Sequence, residues 1–285
     1  MKVVFLLSSL FSIVALLFIV LYLLVTSVPA IANYGIFKFI FGTTWQPIDG
    51  QFGILPMIFG TLYLTALATV MGTLLGIFTA VFLYKFCPKK LIAPIRQILT
   101  ILAGIPSVVF GLFAMMIIVP FIQVYLSPNY NGTGFLAAAI VLSIMVLPTI
   151  VSISLDALIS APKSYYDGAL ALGATREQAV FKVMIPAAKS GIFASVVLGV
   201  ARAMGETMAV VMVIGNIPNL TGSLFESAAT LTSNIAMHAN ELSGNARDAL
   251  IASGLVLLVF ALILNIGFSL LKDRKPRKQK EKLKK

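Results

Sequence analysis

Charge is what this 285-residue chain has least of: only 11% of its residues are Asp, Glu, Lys or Arg. A soluble domain carries roughly 25%, so a water-surrounded globular fold is excluded. The single cysteine, Cys87, excludes an intrachain disulfide framework and any multi-cysteine metal site within this chain. The single histidine, His238, has no cysteine near it and reads as a solvated loop residue rather than a ligand or a base. No glycine-rich loop ends in Gly-Lys-Ser/Thr, so the chain is not expected to bind and hydrolyse ATP, and an ATP-driven process would need another subunit. No His/Asp/Glu cluster has ligand spacing, which speaks against a membrane enzyme. The internal repeats or the larger number of intramembrane carboxylates expected of a self-contained secondary carrier are also missing. Gly132-Thr133-Gly134 with Ala137 fits a loose dinucleotide pattern, but it follows a polar loop instead of a strand and reads as a turn.

What remains is apolar. Hydrophobic residues make up 59% of the chain. A span needs about 20 of them in a row, and six stretches qualify: 3–28, 56–84, 97–122, 134–160, 190–215 and 249–271. The expectation is an all-α integral membrane protein, one transmembrane domain over 1–285 with its core at about 56–271. The first stretch is longer than the roughly 7–15 apolar residues of a signal peptide, so it is expected to stay as a span. Eighteen of the 21 basic residues fall on one side of this arrangement. They are Lys2, the 85–96 and 163–189 segments, and nine residues of the tail 272–285. By the positive-inside rule that side, with both termini, is cytoplasmic. The tail reads as a topology anchor on anionic lipid headgroups, and the net charge of +11 needs no nucleic acid to account for it.

Against this background Arg202 and Glu206 stand out as the only charges between Ser190 and Gly215. Near the bilayer centre each costs roughly 2.5–3.5 kcal/mol unless it faces water or a partner. Their i,i+4 spacing permits contact on a continuous helix, and a polar cargo is expected to pass them. A helix-packing salt bridge that never meets cargo is the competing reading. Pro106, Pro120 and Pro148 are placed to kink or break spans three and four, freeing backbone groups that must be satisfied inside protein or a wet cavity. Ser107, beside the first of them, is a candidate to line the path. Gly72 and Gly76 have the spacing of a close helix–helix approach.

The segment 161–189 is polar and regular. Pro162 can open a helix, Gly173 is placed to end it, Thr175 is a plausible N-cap for a second helix, and Pro186 is expected to turn the chain back to the membrane. The product is a compact knob shaped for a partner's groove. Asp167-Gly168-Ala169, then Gly173 after three residues, then Val183, Ile185 and Pro186 after nine more, resembles the coupling-loop signature of bacterial ABC importer permeases. Gly168 departs from the usual alanine and weakens its helix by about 0.5–1 kcal/mol. The runs Ala201–Val210 and Gly104–Val109 are similar to span signatures of the phosphate-importing members of that family.

The resemblance implies a type I permease fold in the bacterial inner membrane. It also implies a second related permease subunit, two cytoplasmic ATPase subunits holding ATP and Mg, and an extracytoplasmic phosphate-binding protein. This chain itself would bind no cofactor and no metal. Arg202, Glu206, Thr207 and Ser107 would be pathway residues, and the 167–186 positions would form the ATPase coupling loop. Other oxyanions such as phosphonate, sulfate or molybdate are the alternative cargoes. Glu206 admits two roles: clamping Arg202 at rest, or accepting a hydrogen bond from the hydroxyl of hydrogen phosphate, which sulfate lacks.

Overall fold

The computed structural model describes residues 1–273, so all but the start of the proposed headgroup-anchoring tail lies outside the described residues. Six helices among the described residues are long and apolar enough to cross a membrane. The first, α1 (Lys2–Tyr34), buries only Ser27 and exposes apolar side chains all round. A helix of that kind is stable only where its surroundings are themselves apolar. A short helix α2 (Ile36–Phe41) and a hairpin of β1 (Trp45–Gln46) and β2 (Gln51–Phe52) follow. Phe39, Trp45 and Phe52 bury together with Ile54 and Met57, and the Tyr34 hydroxyl accepts the Phe52 N–H at 3.0 Å.

Helix α3 (Leu55–Val81) runs through a π-helical turn, Phe82–Phe86. The chain then returns as α4 (Lys89–Gly104), breaks at Ile105–Pro106, and continues as α5 (Ser107–Phe113), a second π-turn, and α6 (Val119–Tyr125). The third crossing is therefore Ser107–Tyr125 rather than 97–122. Pro106 is the reason: it biases Ile105 to extended backbone (ψ 129) and supplies no N–H to continue the helix. Helix α4 buries no residue fully, although Ile95 and Leu99 lean on the cluster that holds Val151 and Leu155.

Helix α7 (Phe135–Ser160) is the centre of the bundle, buried over 61% of its most apolar window where α1 is buried over none of its own. Then come α8 (Lys163–Ala171), α9 (Arg176–Ala179), a third π-turn, α10 (Ile185–Gly205), α11 (Met208–Val213), α12 (Leu231–His238) and α13 (Gly244–Asp273). Two expectations about this part need correction. The stretch 190–215 is not one helix, because α10 ends at Gly205. Pro186 does not turn the chain back either; α9, the π-turn and α10 form one helical run, Arg176–Gly205. Each of the three π-turns ends two residues before a proline, at Pro88, Pro120 and Pro186. A proline has no N–H for its i−4 carbonyl and its ring crowds that carbonyl; at Pro120 and Pro186 the widened turn relieves the clash without ending the helix, whereas at Pro88 the helix ends with Cys87 extended (ψ 132).

Small residues bring α3 and α10 against α7. A β-carbon at Gly72 would lie 2.6 Å from Val146 Cγ2, and one at Gly76 would lie 2.7 Å from Ile150 Cγ2. On the other side Gly191 abuts Ala157 and Gly199 abuts Ile150. Between those two contacts the buried Ser154 and Ser195 hydroxyls hydrogen-bond at 2.8 Å. By contrast a β-carbon at Gly168 in α8 would meet nothing within 4 Å. Gly191→Leu is therefore expected to destabilise the detergent-solubilised protein by about 1–3 kcal/mol through overpacking. Gly168→Ala is expected to stabilise it by about 0.5–1 kcal/mol. Paired thermal melts check both signs.

Candidate functional site

The height of Arg202 in the bundle is set by the α7–α10 contact. Gly191, Ser195, Gly199 and Arg202 recur at helical spacing on one side of α10, and meet Ala157, Ser154, Ile150 and Thr149 in turn along α7. Arg202 is half-buried, and its Nη1 donates to Thr149 Oγ1 at 3.2 Å. No carboxylate lies within salt-bridge distance of it among the described residues. A guanidinium has five donors, so most of its hydrogen-bonding capacity is left for something other than this chain's acids.

Glu206 is adjacent in sequence but not paired. Because α10 stops at Gly205, Glu206 is extended (φ −70, ψ 130) and the i,i+4 geometry that would put it on Arg202 does not form. Its Oε1 instead accepts the backbone N–H groups of Thr207 at 3.1 Å and Ala209 at 3.4 Å, the unpaired amides at the start of α11. A carboxylate there also meets the positive end of the helix dipole. Thr207 is the N-cap of α11, and its hydroxyl donates to the Gly205 carbonyl at 3.3 Å. The Glu206 carbonyl, left over by the break, accepts a hydrogen bond from Thr232 Oγ1 at 3.1 Å.

The second break lies beside this one. Helices α5 and α11 pack so closely that a β-carbon at Gly111 would lie 2.7 Å from Met212 Sδ and 3.1 Å from Ala209 Cα. Ser107 is half-buried as the first residue of α5. No hydrogen bond joins it to Arg202, Glu206 or Thr207 among the described residues, so packing alone relates the two breaks.

The 161–189 segment forms a separate feature at the far end of α3 and α7. Helix α8 begins after Pro162 and is closed by Gly173 in the left-handed region (φ +84), which favours glycine. Thr175 caps α9 in a reciprocal capping box with Gln178. Tyr166, Ala169, Ile185 and Val180 pack against Val81 and Leu158, and the Lys85 ammonium sits 4.0 Å from the Tyr166 ring centroid. Asp167, Gly168, Gly173 and Pro186 remain exposed, Val183 is half-buried, and Leu172 at the tip is 91% exposed.

Sequence reasoning missed Thr149, Thr232 and Leu172. A hydroxyl directly after the intramembrane Pro148 was a signal for the first, and an apolar residue at the bend beside Gly173 was a signal for the third. Thr232 had none, since its partner is 26 residues away. His238, expected to be a lone loop residue, ends α12 with Nδ1 3.1 Å from Glu241 Oε2.

Comparison with known proteins supplies the family context. The family described as "binding-protein-dependent transport system inner membrane component" matches residues 72–277. The probable ABC transporter permease protein YqgH of Bacillus subtilis is 41% identical, covering 84% of this chain and 78% of that protein. The phosphate transport system permease protein PstC of Mesorhizobium japonicum is 34% identical, covering 82% and 77%. Among solved structures, a bacterial alginate ABC transporter in complex with a pentasaccharide-bound periplasmic protein aligns with TM-score 0.68 at 17% identity, over 95% of this chain and 94% of that one. The MetNI methionine ABC transporter in an inward-facing form aligns with TM-score 0.61 at 18% identity, over 80% and 98%. At these identities the solved structures bear on fold alone.

The capping geometry separates two variants at one position. Glu206→Ala is expected to weaken the start of α11 by about 0.5–2 kcal/mol, the usual cost of losing a helix cap. Glu206→Gln keeps an oxygen for the same amides and should stay near native. Hydrogen–deuterium exchange at the Ala209 amide reads this directly: faster in the alanine variant, unchanged in the glutamine variant.

Proposed function

The chain belongs to the family of binding-protein-dependent transport system inner membrane components, and from that membership we propose that it carries inorganic phosphate across the membrane by alternating access. It is a multi-pass inner-membrane protein and a permease component of an ABC importer. In the proposed assembly it pairs with a second, related permease subunit. Two ATPase subunits bind ATP and Mg and dock on the α8–α9 knob, and a phosphate-binding protein delivers cargo to the opposite face. The distribution of basic residues supports a cytoplasmic position for the knob and both termini in this proposal.

The observation that carries the cargo assignment is Arg202: a permanently charged, fork-shaped donor inside the bundle whose only side-chain partner among the described residues is a neutral hydroxyl. Such a group suits a tetrahedral oxyanion, which it can hold through two oxygens. Phosphate at neutral pH carries about −1.5 to −2 charge. Moving it into a cell that is negative inside costs about 2.3 kcal/mol per charge per 100 mV, so accumulation needs the ATPase partners. Phosphate permeases among the relatives support the same cargo. Glu206 fits the role of reading the phosphate hydroxyl better than that of a clamp. Its Oε1 is occupied by backbone amides, while Oε2 accepts no hydrogen bond among the described residues. Leu172 and Asp167, exposed at the knob, would enter the ATPase groove.

ATP-dependent uptake of radiolabelled phosphate into vesicles holding the whole complex and its binding protein tests the reading. Native vesicles should accumulate phosphate despite excess sulfate, and Arg202→Gln should assemble normally yet transport about 10-fold less or worse. Equal transport by both would make Arg202 structural; no phosphate transport by the native complex would sink the cargo assignment in favour of another oxyanion. In the same assay Glu206→Gln should let sulfate compete several-fold better, and unchanged selectivity would remove Glu206 from recognition. Leu172→Asp should lower ATPase-coupled uptake while leaving the chain's own melting temperature within about 1 °C, since a substitution at an exposed site away from packing rarely exceeds 0.5 kcal/mol.

A further inference from the structure

The polar group that braces the α10–α11 break does not come from a neighbouring crossing but from the segment between α11 and α13. Helix α11 hands over to that segment through Gly215 (φ +91) and Asn216 (φ +53), two consecutive left-handed residues. The chain then lies against the start of α7, where the Leu224 carbonyl accepts the Leu136 N–H at 2.8 Å, and reaches Ala228, whose N–H donates to the Ile214 carbonyl at 3.0 Å and closes the loop at its base. Gly60 of α3 has no side chain, so the Ala229 carbonyl can press against it. Thr61 then fixes the next residue: its Oγ1 accepts the Leu231 N–H at 3.0 Å and donates to the Met57 carbonyl at 2.7 Å. Thr230 caps α12 in a box with Ser233. Thr232, one residue into the helix and 7% exposed, donates its hydroxyl to the Glu206 carbonyl at 3.1 Å, with the Thr230 hydroxyl 3.0 Å from Thr232 Oγ1.

Helix α12 is thus held at its first turn by α3 and by the break, and emerges at its last, where Met237 is 44% exposed and His238 meets the exposed Glu241. Eight residues rise about 12 Å, enough to span from that surface to the level of Glu206. A threonine in the first turn of a helix ordinarily bonds its own backbone or water; this one joins its own cap, Thr230, to the carbonyl of a different element. In the same turn the Asn234 side-chain amide, 4% exposed, has no partner for Nδ2.

We infer that Thr232 is a positioning residue: its hydroxyl is the link through which docking on the face opposite the α8–α9 knob resets the Glu206 backbone, and with it the charged break. The inference rests on the permease reading above but not on the identity of the cargo. Movement of α12 pulls on the Glu206 carbonyl, and the carboxylate that caps α11 and the Arg202 turn that precedes it move with the same peptide. Thr232 itself touches no cargo.

The test uses the complete complex reconstituted with its binding protein and compares native chain, Thr232→Val and Thr232→Ser. Valine keeps the shape and removes the donor; serine restores it. Thr232→Val should assemble and keep basal ATPase activity. Its maximal stimulation by loaded binding protein should fall about fivefold or more, within the usual range of coupling between sites, and the binding-protein concentration for half-maximal stimulation should stay native. Thr232→Ser should recover the stimulation. Native stimulation in Thr232→Val, equal loss in both variants, or parallel loss of basal activity and assembly would each overturn the inference. Because ATPase stimulation is read with whatever ligand loads the binding protein, a complex that moves no phosphate defeats the cargo assignment while this comparison still decides the role of Thr232.

Discussion

A chain that stops being helical inside a bilayer must find partners for its freed amides and carbonyls within itself, because hydrocarbon offers none. Most of the local chemistry around Gly205–Thr207 follows from that constraint. The unpaired amides at the start of α11 are taken by the Glu206 carboxylate, the Gly205 carbonyl by the Thr207 hydroxyl, and the Glu206 carbonyl by Thr232. The break at Ile105–Pro106 meets the same demand by a different route. Proline has no amide to satisfy, so one donor is removed rather than capped. The two short helices that follow these breaks then pack on each other at Gly111, where any side chain would collide with Met212.

Where the chain must carry proline without stopping, it widens. The π-turns before Pro120 and Pro186 keep α5–α6 and α9–α10 continuous, so a knob at one end of the bundle and Arg202 further along belong to one helical run. The Ser154–Ser195 bond and the glycine contacts hold that run close against α7. The bend at Gly173 and the capping box at Thr175 separate α8 from that run.

The features legible in the sequence were those with local causes. Long apolar runs marked four of the six crossings to within several residues, the fifth being shifted because its helix begins at Arg176 and stops at Gly205; Gly72 and Gly76 marked a close approach; Pro162, Gly173 and Thr175 marked the two ends of α8 and the start of α9. The third crossing was displaced because α4 is apolar enough to look like part of it, and hydropathy does not register that Pro106 has ended a helix. Pro186 was misread for the converse reason: a π-turn carries the helix past it, and hydropathy does not register that widening. The Arg202–Glu206 pair was noticed through its cost in lipid but misjudged in geometry, because i,i+4 contact presupposes an unbroken helix and the intervening Gly205 was not weighed as its end. Thr149 and Thr232 act across 53 and 26 residues, and contacts of that kind follow from the packing of α7, α10 and α12 rather than from any pattern within one element.

Separating the two charges changes what the site can do. Had Glu206 paired with Arg202, an arriving anion would have had to displace a carboxylate from a partly desolvated guanidinium, losing much of the Coulomb gain. In the structure the carboxylate is balanced by the amides and dipole of α11, while the guanidinium holds a neutral hydroxyl. An anion that met Arg202 would have no ion pair to break and only the Thr149 hydrogen bond to exchange. The same arrangement keeps the acidic group from drifting toward the anion, since leaving would uncap α11. The helix break therefore does for the electrostatics what sequence spacing alone would have prevented: it holds opposite charges one residue-turn apart in the chain, each satisfied by a different partner.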